Sequence, residues 1–400
     1  MNKCEVQTMK DNKVIVGIIG CGAFSESQHF PNCKSNPLVE IGALCDLRIE
    51  RMDYLEQKFE LNNPFKTTDF EALIDRDEVD MVIIATDHNT HLEIIEKASQ
   101  KGKHILVEKP MSIDYLESIK MVRAVKKHGV KLCVDYNRPF SPSMIEMKKQ
   151  LAIQRKDPSV SPWRSKREAG LKHFYEEEAT NLVITINDEI DSYRSVHLDP
   201  EKGGGLIIGE SCHFLDLACW LIGKRPTRIY ATGSSRLSHF IVMNFEDGSV
   251  ANLHFSVCGT FDYPKERYEL TSNGGLLLNE FFVEVSVYGR GDVINKTYPL
   301  QNDELAIEVP GAGLQNYLDK RIAAQNKFKE TGKLTNLMPD KGHQNLLNEF
   351  INSIIEDKPS PVDEIRGLRA TYLSNKAIQS IRNGAPVPIC QEDIDILVDV

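Results

Sequence analysis

A run of apolar, mostly β-branched residues at 14–19 stops abruptly at Gly20-Cys21-Gly22. That junction limits the possible folds more than any other feature of the chain. A buried strand that ends in a glycine turn and runs on into a helical pattern opens a βαβ unit. The turn reads Gly20-Cys21-Gly22-Ala23-Phe24-Ser25, with Ser where a third glycine would complete G-x-G-x-x-G. The first glycine permits the tight turn, and the second lets backbone approach a pyrophosphate. The helix beyond offers unpaired N–H groups to an anion. Asp46 closes the next apolar run, where a carboxylate can bind a ribose 2′-hydroxyl and repel a 2′-phosphate. The expected cofactor is therefore NAD. Arg48 is the counter-argument, because a nearby Arg can accept the phosphate of NADP.

Further apolar runs at 39–45, 79–85, 104–107 and 131–134 alternate with helical patterns such as 91–101 and 113–128. This rhythm implies a parallel sheet with helices on both faces. It changes near residue 140. Short alternating runs at 228–233, 240–245, 250–257 and 267–271 follow, with a hairpin turn at Glu246-Asp247-Gly248-Ser249. They imply an antiparallel sheet, and helical patterns at about 312–330, 340–357 and 362–383 end the chain. The expected architecture is an α/β Rossmann-type domain at 1–138 and an α+β domain at 139–400. The second domain would carry a large, open, mainly antiparallel sheet, with its last helices partly packing back on the first.

Composition excludes several classes of partner. A net charge of -10 repels a long phosphate polymer, so nucleic acid is not expected. No apolar run reaches the roughly 20 residues needed to cross a bilayer. The first residues are charged and lack the apolar core of a secretory signal. Nine cysteines, an odd number with no C-x-x-C pair, argue against a disulfide framework and a structural zinc site. Buried, reduced thiols in a cytoplasmic protein with no metal are expected.

Two more segments hold residues suited to chemistry. Glu108-Lys109-Pro110 follows the 104–107 strand at the sheet edge where ligands bind. A Lys there is either a salt-bridged surface group or a cation that holds a hydroxyl and stabilises an alkoxide. Gly203-Gly204-Gly205 precedes Glu210 and His213, which stand three apart and would share a helix face. A His beside a carboxylate is a candidate general base. A lone His is more often a satisfied core residue, but a glycine run before it permits close approach to a ligand.

Taken together, these segments resemble the Gfo/Idh/MocA oxidoreductases, along essentially the whole chain. Glu108-Lys109-Pro110 is similar to that family's signature. Asp135-Tyr136-Asn137-Arg138-Pro139-Phe140 resembles the stretch leaving the next strand, and 199–223 is close to the inositol-dehydrogenase-like branch. The resemblance implies that Lys109 contacts the reacting hydroxyl and the nicotinamide, and that His213 takes the hydroxyl proton. It implies cofactor contacts from Gly20, Gly22, Ala23, Phe24, Ser25, Asp46 and Arg48. Thr86, Asp87, His88, His91, Glu108, Lys109 and Asn137 would add others, with a cis peptide before Pro110. Tyr136, Arg138, Asn187, His197, Glu210 and His213 would line the substrate. Departures are Gly209 where the family often has Asp, and Thr86-Asp87-His88 where Thr-Pro-Asn is usual. The longer stretch at about 148–180, with Trp163, Tyr175 and several Arg and Lys, is either a solvated insertion or an anion-binding flap.

The leading expectation is an NAD-dependent dehydrogenase acting on a ring hydroxyl of an inositol, sugar or glycoside. One alternative is an NAD-dependent glycoside hydrolase that oxidises transiently, with Tyr136 or His197 as a further base. The other is a non-catalytic NAD-binding sensor. A homodimer or homotetramer through the open sheet is expected.

Overall fold

Six short strands lie near the N-terminus, and most carry apolar residues on both faces and so need cover on both sides. They are β1 (Val14–Ile19), β2 (Val39–Cys45), β3 (Phe65–Thr67), β4 (Met81–Ile84), β5 (His104–Val107) and β6 (Leu132–Val134) in the computed structural model, which describes residues 13–156, 179–290, 293–305 and 311–395. All pair in parallel in the order β3-β2-β1-β4-β5-β6. This is the doubly wound order, whose ligand crevice lies outside the strand ends where the order reverses, between β1 and β4. The sequence gives no signal for β3, because Phe65-Lys66-Thr67 is only half buried. The 104–107 run is therefore the fifth strand rather than the fourth.

Five helices belong to these strands: α1 (Phe30–Ser35), α2 (Ile49–Lys58), α3 (Phe70–Ile74), α4 (His91–Gln100) and α5 (Tyr115–His128). Helix α5 shows how sequence sets its limits. The Asp114 carboxylate caps it by accepting from the N–H groups of Leu116 and Glu117, an arrangement worth about 1 kcal/mol. Ser118, Met121, Val122 and Val125 form its buried stripe, and Gly129 ends it at a φ of 65°. In β1, a Cβ on Gly17 would stand 2.5 Å from Leu73 of α3, so glycine lets that helix lie against the strand.

The remaining elements are α6 (Pro142–Lys156), β7 (Thr180–Asn187), α7 (Ser195–Leu198), α8 (Cys212–Ile222), β8 (Pro226–Gly233), β9 (His239–Phe245), β10 (Val250–Ser256), β11 (Glu266–Ser272), β12 (Gly275–Glu280), β13 (Glu284–Tyr288), β14 (Ile294–Thr297), β15 (Leu300–Asp303), α9 (Gly313–Thr331), β16 (Leu337–Pro339), α10 (His343–Ile355), α11 (Glu364–Asn383), β17 (Val387–Pro388) and α12 (Gln391–Asp395). Nine of these strands form one sheet in the order β14-β13-β12-β11-β7-β10-β9-β8-β17. It is mainly antiparallel, as expected, but β7 and β10 run parallel at its centre. The hairpin at 246–249 joins β9 to β10, with Gly248 at a φ of 80°. Along β9, His239, Ile241, Met243 and Phe245 are buried while Phe240 is exposed, so one face points to a core. Helix α8 is buried almost all round and is a core helix.

The chain forms two units. One contains the residues up to Asp135 together with His343–Thr371, and the other contains Tyr136–Gly342 with Tyr372–Ile394. The first unit is completed by its returning segment. Val134 N–H donates to Val362 O at 2.9 Å, and Asn36 Nδ2 to Asn348 Oδ1 at 2.8 Å. Trp163, Arg164, Lys166, Arg167, Lys172 and Tyr175, expected in a solvated insertion or an anion-binding flap, lie outside the described residues. No helix among the described residues is long and apolar enough to cross a membrane. Of the described cysteines, Cys258 and Cys390 are exposed, which corrects the expectation that all are buried.

Candidate active site

The glycine turn needs its glycines for different reasons. Gly20 has a φ of 95°, and a Cβ there would stand 2.4 Å from Ala85 O. Only glycine can leave β1 this close to the end of β4. A Cβ on Gly22 would meet nothing within 4 Å, so the backbone there faces open space of the kind a pyrophosphate requires. The Ser25 hydroxyl donates to Gly20 O at 2.6 Å and is buried. Its side chain closes the turn, which leaves only its backbone for a cofactor. The helix opens with a widened π turn, Ser25–His29. Phe24 is exposed, and Ala23 stands beside it in the same turn.

Asp46, at the end of β2, accepts from Cys21 N–H at 3.0 Å through Oδ2 and from Arg48 N–H at 3.0 Å through Oδ1. The Arg48 side chain is largely exposed. Burial, then the Asp46 charge, pushes the Cys21 thiol up to about 12, so it is inert. Arg51 donates from Nε to Cys21 O at 2.6 Å and holds the loop from below. Sequence reasoning missed this residue, because one Arg on a helix face carries no signal of its own. The loop and carboxylate fit an NAD adenosine and pyrophosphate.

After β4, Thr86 and Thr90 share a hydroxyl hydrogen bond of 2.7 Å. Asp87 precedes a 3₁₀ turn, His88–Thr90, and the His88 ring lies 5.9 Å from that of His91. His91 is fully buried and burial lowers its pKa, so it is neutral. Its Nδ1 lies 3.1 Å from Pro110 O and 3.3 Å from Met111 O, and its Nε2 lies 3.4 Å from Thr86 O. His91 thus braces the Lys109-Pro110-Met111 turn from within the wall. The Lys109–Pro110 peptide is cis, as the resemblance implies. Lys109 is half buried at the strand end.

The sequence reading missed a buried acid–histidine cluster beside Lys109. Glu108 Oε1 lies 2.9 Å from His29 Nε2, and Asp135 Oδ2 lies 3.2 Å from His343 Nδ1. The two carboxyls are themselves hydrogen-bonded. Burial, then the Asp135 charge, holds Glu108 well above the usual carboxylate range, so it is the protonated member. Burial would raise Asp135 too, but the adjacent His343 outweighs it and holds Asp135 low. The Phe24 ring packs edge-on against both histidines, at 5.5 Å and 5.6 Å. The Glu108 carboxyl, expected at the cofactor ribose, is bound to these partners. No local motif links positions so far apart in the chain.

In the second unit, Arg138 and His213 are both buried. The Arg138 fork grips Glu266 through Nη2 at 2.9 Å and Nε at 3.3 Å. Its Nη1 reaches Asn137 Oδ1 at 2.9 Å and His213 Nε2 at 3.0 Å. Asn137 Nδ2 donates to Lys341 O at 2.9 Å, so this amide, expected at the cofactor, is engaged on both sides. Lys341 Nζ also binds Glu266, at 2.7 Å. The Tyr136 ring packs edge-on to His213 at 5.6 Å. Asn187 pins Thr260 through both its amide atoms. His197 sits on α7, with its ring 6.4 Å from that of Tyr193.

Two expectations about this region need correction. A widened π turn, Ile207–Ser211, separates Glu210 from α8, so a spacing of three does not give regular helical neighbours. The Glu210 carboxylate lies 3.8 Å from Lys265 Nζ, which also binds Asp188. The glycine run serves chain packing rather than approach to a ligand. A Cβ on Gly203 would strike Val196 O at 2.3 Å, and one on Gly205 would meet Ser235 O at 2.9 Å.

Family models match both parts of the chain. Residues 14–136 match the oxidoreductase family's NAD-binding Rossmann fold, and residues 182–389 match its C-terminal α/β domain. The chain belongs to the Gfo/Idh/MocA oxidoreductase family. Its cofactor is accordingly NAD. The chain is 23% identical to a myo-inositol 2-dehydrogenase of Thermotoga maritima over 68% of this chain and 77% of that protein. It is 26% identical to the uncharacterized oxidoreductase YrbE of Bacillus subtilis over 66% and 72%. Among solved structures, an oxidoreductase domain protein from Kribbella flavida superposes with a TM-score of 0.73 at 17% identity, over 95% of this chain and all of that one. A levoglucosan dehydrogenase, solved with NADH and levoglucosan, superposes with a TM-score of 0.69 at 17% identity, over 94% and 99%.

Proposed function

We propose that this Gfo/Idh/MocA protein is an NAD-dependent dehydrogenase acting on a ring hydroxyl of an inositol, sugar or glycoside. The observation that carries the reading is Lys109, at the sheet's ligand edge in a turn that the buried His91 braces at Pro110 and Met111. The inositol and levoglucosan dehydrogenases among its relatives support the substrate class. NAD, when bound, supplies the hydride acceptor. His213 takes the hydroxyl proton, and the Lys109 ammonium steadies the oxygen as it gains negative charge. Asp46 holds the adenosine ribose, and Gly20, Gly22 and the backbone of Ser25 cradle the pyrophosphate.

NADH formation across a panel of inositols, sugars and glycosides tests this. With the substrate found, His213→Ala should slow turnover by about 10²–10⁴-fold and leave NAD affinity unchanged. Lys109→Ala should impair both turnover and substrate binding. Asp46→Ala should narrow the preference for NAD over NADP. A His213→Ala variant with native turnover would overturn the assignment. Release of an aglycone without net NADH would replace it with the redox-neutral hydrolase, for which Tyr136, 5.6 Å from His213, supplies the further base. Tight NAD binding with no turnover on any compound would leave the sensor. The outer face of the large sheet, with Phe240 stacked at 4.4 Å on His254 and Val183 and Tyr230 exposed, supports association of two or four copies. A monomer by light scattering would contradict it.

A further inference from the structure

A His that is to accept a proton usually leans on a carboxylate, which orients the ring and favours its charged form. His213 meets a cation at Nε2. The Arg138 guanidinium is a planar fork with five N–H donors and no acceptor. Nη2 and Nε are committed to Glu266, and Nη1 reaches both Asn137 Oδ1 and His213 Nε2. Because arginine only donates, His213 Nε2 is the acceptor in this contact. A neutral imidazole that accepts at Nε2 carries its proton on Nδ1. The arrangement is stiff. Glu266 and Asn137 are wholly buried, Phe214 lies beneath the guanidinium at 5.5 Å, and the Tyr136 ring flanks the imidazole.

We propose that Arg138 is a positioning residue for His213, locking the imidazole in the Nδ1–H tautomer and holding Nε2 as an acceptor until a substrate hydroxyl takes the guanidinium's place. This deepens the dehydrogenase reading and rests on it for the word substrate. A hydroxyl donating to Nε2 would make the same contact that Nη1 now makes. Its proton then passes to the ring while Arg138 stays tied to Glu266. The nearby cation disfavours a lasting imidazolium, so once the hydride has passed to NAD the ring gives the proton up to solvent water. The other charged and titratable groups of this buried cluster are Lys341, Lys265, Tyr268, Asp188, Glu210 and Tyr193, with Asp216 on the histidine's own helix. Arg138, Lys341 and Lys265 face Glu266, Asp188 and Glu210.

The test combines nitrogen NMR of the full-length protein, with its histidines labelled, and the pH profile of kcat/KM. In the native protein the His213 ring should show the Nδ1–H tautomer at neutral pH. Arg138→Met should release that preference and move the acid limb of kcat/KM to higher pH by about one unit, because a like charge has left. If Arg138→Met does not fold, Arg138→Lys decides. A single ammonium keeps the charge beside Glu266 but cannot serve Glu266 and His213 together. It should also free the tautomer, with a fall in kcat larger than any change in KM. An unchanged tautomer in the folded variant, or a native ring protonated at Nε2, would overturn the proposal. The NMR readout needs no substrate. A locked tautomer alongside an inert His213→Ala phenotype would sink the base assignment and leave the positioning intact.

Discussion

Glu266→Gln is the sharpest test of the charge cluster in the second unit. Glu266 is wholly buried and accepts from Arg138, Lys341 and Tyr268. Arg138 and Lys341 hold the carboxylate low, against the effect of burial. The amide keeps the shape and an acceptor oxygen but removes the negative charge that faces two buried cations. Losing one partner of a buried ion pair costs roughly 3–5 kcal/mol. Lys341 offers partial relief. Burial already pushes its ammonium below the usual lysine range, so it can shed a proton when Glu266 is gone. We therefore expect the lower end, about 3 kcal/mol. For a unit of this size that is a fall in melting midpoint of roughly 6–12 °C. Calorimetry at neutral pH would measure it, with Glu246→Gln in the exposed Arg225–Glu246 pair as a control that should not move. The deficit should shrink as pH rises, because Lys341 then gives up its proton more easily. A midpoint within about 2 °C of native would refute the reasoning. The two cations would then be balanced by something other than Glu266.

Gly22→Ala should melt like the native protein yet bind NAD at least tenfold more weakly, since its Cβ enters open space that the cofactor needs; unchanged affinity in a binding titration would contradict that. Gly20→Ala should instead lower the melting midpoint even without NAD, because its Cβ meets Ala85 O in a left-handed backbone. Glu108 carries a folded-state pKa above its ordinary 4.5, so its contribution to stability is full below that value and is lost as pH rises toward the folded one. Glu108→Gln should therefore flatten the fall in melting midpoint above pH of about 4.5, and curves that run parallel would exclude a protonated Glu108. Asp135 works in the opposite sense: its depressed pKa stabilises the fold above its ordinary 3.8, and that contribution is lost as pH falls. Asp135→Asn should thus lose most of its deficit in acid.

The parts of this protein that are legible in sequence are those governed by neighbours along the chain. Val14–Ile19 with Gly20 and Gly22 announces a strand and a glycine turn, and Glu246-Asp247-Gly248-Ser249 announces a hairpin. The Glu108-Lys109-Pro110 turn was readable for the same reason. What escaped depends on distant partners. Glu266 meets Arg138 across more than a hundred residues, and His343 reaches Asp135 across two hundred. The central parallel pair β7 and β10 is likewise non-local, so hairpin logic alone gives a purely antiparallel sheet. Glu210 and His213 mislead because a single widened turn alters helical spacing without altering composition. The glycines at 203–205 look like a ligand cradle until the backbone of Val196 and Ser235 is seen against them.

The return of His343–Thr371 to the first unit sets an order of events during synthesis. Strand β6 emerges early, but the carbonyl of Val362 that Val134 binds is made more than two hundred residues later. Met111 and Val134 wait equally long for Gly367, whose missing side chain lets α11 settle against them. At about 5–20 residues per second, the ribosome takes roughly 10–50 s to deliver that segment. Through that interval the edge strand β6 lacks the backbone partner that Val362 supplies, while Tyr136–Gly342, the larger part of the second unit, is made. The first unit to begin is thus still incomplete when most of the second has been made.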